Sequence, residues 1–115
     1  MTLCLLELGI SPLSTPEMEQ ALTAFRSAWQ QPAWIHRQPC GDAWLLAIRH
    51  EAELRPGESP VWFAERMAAA LWLALGRYAR ITLEINTQED DTQLTLDESD
   101  YQRILRDFRL SSAKR

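Results

Sequence analysis

Residues 2–10 place apolar side chains at both phases of a two-residue alternation, with Glu7 the single charge. Such a run predicts a strand covered on both faces, ended here by Ser11-Pro12. Met18, Ala21, Leu22, Phe25, Ala28 and Trp29 then recur at helical spacing, and Glu19, Gln20, Thr23, Arg26 and Ser27 fill the opposite side. Ser14 or Thr15 supplies the N-cap, Pro16 suits the first turn, and Glu17 completes a capping box with Ser14. Gln31-Pro32 closes this amphipathic helix.

Ala33 to Gln38 alternates loosely and carries His36 and Arg37, the pattern of a partly exposed edge strand. Pro39-Cys40-Gly41-Asp42 is a hairpin turn in which Gly41 accepts a positive φ. Ala43 to His50 is apolar at both phases and predicts a second central strand, followed by a polar connection over 51–58 that contains Pro56-Gly57. Ser59 caps a second long helix, Pro60 takes its first turn and Gly76 ends it. From Arg77 to Asn86 the alternation is clean, with Ala79, Ile81, Leu83 and Ile85 facing one way and Tyr78, Arg80, Thr82, Glu84 and Asn86 the other. After a polar turn at Gln88-Glu89-Asp90-Asp91, Thr92 to Leu96 returns as a short edge strand. Asp97 then caps a last helix striped by Tyr101, Ile104, Leu105 and Phe108.

The order β-α-β-β-α-β, with an added short strand and a C-terminal helix, predicts an α+β ferredoxin-like split βαβ fold. The first and third strands are central in that arrangement and the second and fourth lie outside. Here the first and third strands are the ones apolar on both faces. One domain over 1–110 is expected, with 111–115 a disordered basic tail. That architecture carries many unrelated functions, so function has to be read from side chains.

The chain has 115 residues, 46% apolar and 24% charged, which excludes an unstructured or fibrous protein. Lys and Arg number 12 against 16 Asp and Glu, for a net charge of −4, which argues against nucleic acid held by whole-domain charge. Arg103, Arg106, Arg109, Lys114 and Arg115 cluster near the last helix, but Asp100 and Asp107 interrupt them in the manner of a solvated face. No basic residue leads the N-terminus, and residues 67–76 are too short to cross a bilayer, so no membrane partner and a cytoplasmic location are expected.

The residues that carry chemistry are sparse. Cys4, His36, Cys40 and His50 lack the tight paired spacing of zinc ligands, so no metal and no cofactor are assigned. Cys40 with His36 or His50 would make a thiolate pair only on spatial contact, which spacing does not supply. Glu51/Glu53 and Asp90/Asp91 fall in expected loops, where carboxylates are solvated. Arg55 near the start of the second long helix is a weak anion signal. No catalytic residue is assigned, and an enzyme is the less favoured class.

The second long helix is the informative segment. Between Val61 and Leu75, Glu65 and Arg66 are the only charges. Phe63, Met67, Leu71 and Ala74 form the stripe expected to cover the sheet, yet Trp62, Ala69 and Leu73 project beside the two charges and Trp72 flanks them. Either the first and last helices cover these side chains or another molecule does, which makes Trp62, Glu65, Arg66, Ala69, Trp72 and Leu73 a partner-binding set. A second surface is the free sheet face, with Leu5, Trp34, Leu45 and Arg80 as contacts, for which a homodimer packed sheet to sheet is one solution. The acidic Glu89-Asp90-Asp91 turn offers steering toward a basic partner, although a solvated hairpin tip is the plainer reading. The favoured function is a non-catalytic cytosolic protein-interaction module (adaptor, inhibitor or chaperone), homodimeric or bound to a protein partner. The alternative is a small-ligand or enzymatic domain with its site on the open sheet face near His36 and Arg80.

Overall fold

A computed structural model describes residues 2–29, 32–54, 56–89 and 91–113, with the side chains of 2, 52 and 108–113 left aside. The elements run β1 (Thr2–Leu13), α1 (Thr15–Ala28), β2 (Trp34–Cys40), β3 (Ala43–Leu54), α2 (Pro60–Leu75), β4 (Arg80–Thr87), β5 (Asp91–Leu96) and α3 (Glu98–Ala113). The fold is α+β. Five described strands form one antiparallel sheet in the order β2-β3-β1-β4-β5. α1, α2 and α3 lie side by side on one face of that sheet, with α2 between the other two.

Pairing explains why two strands exceed their expected ends. β1 passes through Ser11-Pro12, with Ser11 opposite Arg80 and Leu13 opposite Trp44. The register shifts between Ile10 and Leu13, and such an irregular stretch tolerates a proline that cannot donate to the ladder. β3 continues past His50 because Glu51, Ala52, Glu53 and Leu54 pair with Leu5, Cys4, Leu3 and Thr2. The segment expected as a polar loop is therefore strand, with Leu54 buried and both glutamates on the opposite face.

Three further expectations change. β4 does not lie at the edge, because β5 pairs along it from Ile81–Leu96 to Asn86–Asp91. Tyr78 precedes β4 and escapes its alternation. Its hydroxyl donates to the Leu96 carbonyl at 3.2 Å and its ring packs against Trp72 and Tyr101, so it belongs to the helix side. At the other end of the chain, no proline or glycine interrupts the run after Leu110, and α3 extends to Ala113.

The helix termini follow the sequence signals. Ser14 Oγ accepts from the Glu17 amide at 3.3 Å while Glu17 accepts from the Ser14 amide at 2.9 Å, a reciprocal capping box. Ser59 Oγ accepts from the Trp62 amide at 3.1 Å, and Gly76 ends α2 at φ 75°, a left-handed conformation suited to glycine. Asp97 and Asp100 cap α3 by the same reciprocal pattern, and the Asp97 amide holds the Asp100 carboxyl below its ordinary pKa.

The core lies between sheet and helices. Cys4, Leu6, Leu8 and Ile10 of β1, Leu46 and Ile48 of β3, and Ile81, Leu83 and Ile85 of β4 meet Phe25, Phe63, Met67, Leu71 and Trp72. Arg77 ties the corner. It donates to both Glu17 carboxylate oxygens at 2.7 Å, to the Pro12 carbonyl at 2.6 Å and to the Tyr78 carbonyl at 2.8 Å. That fork, with the Ser14 amide, pulls the Glu17 carboxyl down to about 2.

Candidate interaction surface

The α2 candidates divide. Trp72 is fully buried: its Nε1–H donates to the Ala79 carbonyl at 2.8 Å, and its ring meets Tyr101 edge-on at 5.2 Å. Ala69 is buried as well. Both are corrections to the expected contact set, and the reason is α3, which packs against α2 and supplies Tyr101, Ile104 and Leu105 to the core. Glu65 accepts from Arg103 of α3 at 2.7 Å. Arg66 is mostly enclosed, paired with Glu58 at 3.2 Å and lying over the rings of Phe63 and Trp62. Trp62 and Leu73 remain outward, 50% and 56% exposed, three helical turns apart with these internal contacts between them. What covers α2 is thus mainly its own neighbours.

Among the described residues, no element covers the sheet face away from the helices. Leu5, Trp34, Leu45 and Arg80 do share it, as the alternation required. Leu3, Leu5 and Trp34 are 49%, 41% and 43% exposed. Neighbouring strands arrange this face in rungs. One rung reads Trp34, Arg49, Glu7, Glu84 and Gln93 across all five strands. The next reads His36, Ala47, Gly9, Thr82 and Thr95, and its small residues open a shallow trough of about 400 Å³ walled by Trp34, Leu45 and the polar rung. Gly9 keeps the trough open, since a Cβ there would stand 2.9 Å from Thr82 Oγ1.

Charges on this face are unevenly matched. Arg49 bridges to Glu7 at 3.2 Å and lies 4.8 Å from the centre of the Trp34 ring, on which His36 also stacks at 5.5 Å. Glu84 sits directly opposite Glu7 on the adjacent strand, an unfavourable placement of like charges. Glu51 and Glu53, read from the sequence as loop residues, stand opposite Leu5 and Leu3. Sequence reasoning missed this acidic flank, although the alternation Glu51-Ala52-Glu53-Leu54 carried the signal.

The other constellations do not assemble. His36 and Cys40 lie on one face of β2 but about 13 Å apart, since a strand advances about 3.3 Å per residue. Cys4 is buried on the opposite face of the sheet. The His50 ring packs edge-on against Trp29 at 4.8 Å, and its Nδ1 accepts from the Ala33 amide at 3.1 Å. Among the described residues no three His, Cys, Asp or Glu side chains are grouped so that they could hold a metal ion. His36 and Arg80 are separated by three strand spacings, about 14 Å, so they form no common site. Arg103 is held by Glu65 and Asp100, which removes it from a basic patch. Arg55, Asp90, Lys114, Arg115 and the side chain of Arg109 lie outside the described residues. No described helix is long and apolar enough to cross a membrane.

No family model, curated protein sequence or solved structure matches this chain.

Proposed function

We propose that the chain is a non-catalytic protein-interaction module, an adaptor, inhibitor or chaperone, whose contact face is the bare side of the sheet. The order β2-β3-β1-β4, with α1 and α2 as its crossovers, supports reading the first six elements as a ferredoxin-like split βαβ unit extended by β5 and α3. One observation carries the function: Leu3, Leu5 and Trp34 are about half exposed on a sheet face that no described element covers. Single exposed apolar residues are ordinary, but several on one uncovered sheet face mark a contact region. The α2 surface is the weaker candidate because α1 and α3 already enclose most of it.

Purification from the native host separates the readings. Leu5→Ser is expected to abolish a stoichiometric protein assembly, whereas Leu73→Ser leaves it intact. The reverse pattern would move the contact to α2 and overturn the proposal. The trough around Gly9 favours a second reading, a small-molecule site of about 400 Å³. A retained ligand in native mass spectrometry, with no protein partner, would support that reading instead.

A further inference from the structure

Resting on that reading, we infer that the partner of the bare sheet face is a basic protein surface with apolar side chains set between lysines or arginines, not a second copy of this chain. The apolar positions locate the contact, and charge selects its occupant. Glu7, Glu51, Glu53, Glu84 and Asp91 place five carboxylates on this face, against the guanidinium groups of Arg49 and Arg80. Arg49 is already engaged by Glu7. Glu51 and Glu53 stand directly across from Leu5 and Leu3, so whatever covers those leucines must also meet the two carboxylates.

The helix layer shows the contrast. There Arg37, Arg66, Arg77 and Arg103 each have a carboxylate partner, in Glu19, Glu58, Glu17 and Glu65. On the sheet face, by contrast, described carboxylates outnumber guanidinium groups five to two. Two such faces stacked about a two-fold axis would bring like charge against like around the leucines. A basic partner meets the same groups favourably and is steered onto them at low salt.

The test uses the full chain and two synthetic peptides, one alternating lysine with valine and one alternating glutamate with valine. The protein alone is expected to sediment as a 13.3 kDa monomer. It should bind the lysine–valine peptide and not the glutamate–valine one, less tightly as salt rises. The double change Glu51→Lys/Glu53→Lys should weaken that binding by about tenfold or more, with an unchanged melting temperature confirming the fold. Leu5→Ser should weaken it without altering its salt dependence. A wild-type dimer dissociated by Leu5→Ser would overturn the inference while sustaining the interaction-module reading. A monomer that binds both peptides alike, or whose binding ignores both variants, would overturn the inference. A monomer that binds neither peptide would overturn it too, and a native assembly indifferent to Leu5→Ser would remove the reading beneath it.

Discussion

Trp72→Phe tests whether α2 is a core helix or a contact helix. The Trp72 ring is fully buried, and its Nε1–H donates to the carbonyl of Ala79, itself fully buried, at 2.8 Å. Phenylalanine retains the apolar contact but leaves that carbonyl without this donor, a loss of about 1–3 kcal/mol. The missing ring atoms remove about 1–2 kcal/mol of burial and leave a small cavity beside Tyr78 and Tyr101. Together the change should destabilise the protein by about 3 kcal/mol, a large share of the roughly 5–15 kcal/mol typical of a domain. Urea unfolding followed by circular dichroism should show a lower midpoint with an unchanged slope, and melting should fall by roughly 10 °C. The same change at half-exposed Trp62 should alter stability by less than about 1 kcal/mol. If Trp72→Phe left stability within that smaller range while weakening an assembly, the packing of α3 over α2 would be wrong and α2 would be the interface.

Acid should act through Glu17. Its folded pKa of about 2 lies below the ordinary 4.5, so its stabilising contribution is present above about pH 4.5 and is lost as pH falls toward 2. With solvent screening, wild type should lose about 1–2 kcal/mol through this pair between neutral pH and about pH 2, and Glu17→Gln should flatten that part of the pH dependence in urea titrations. Gly9→Val should destabilise the sheet by about 1–3 kcal/mol, because the first added carbon falls 2.9 Å from Thr82 Oγ1. The same variant fills the trough, so it should abolish any ligand retained there in native mass spectrometry. An unchanged melting curve would show that Thr82 moves aside freely.

Local chemistry made much of this fold legible. Ser14 with Glu17, Ser59 with Pro60, and Gly76 each specify a helix end through groups within a few residues, and all three occur as expected. The two-sided apolar character of β1 and of the first part of β3 predicts central strands covered on both faces; they are central, but the helices cover one face and Leu3 and Leu5 stay about half exposed on the other. Errors arose where a distant neighbour decides the structure. Glu51 to Leu54 carries polar residues, yet β1 extends far enough to pair with it and turns a polar connection into strand. The expected arrangement places the fourth strand outside, whereas β4 is flanked on both sides and its charges lie on the uncovered face. Apolar residues around α2 could not disclose what covers them. α3 packs against α2, where Trp72 and Ala69 are buried, so the proposed contact surface lies on the sheet and not on this helix.

The most direct measurement is the exposure of leucine methyl groups to a soluble paramagnetic probe, read by NMR as protein concentration is raised and again as the lysine–valine peptide is added. Leu3 and Leu5 should relax strongly in the free monomer and become protected as a complex forms, while Leu73 on α2 stays equally exposed. Protection that begins at Leu73 and leaves Leu3 and Leu5 unchanged would contradict the sheet face as the site of contact.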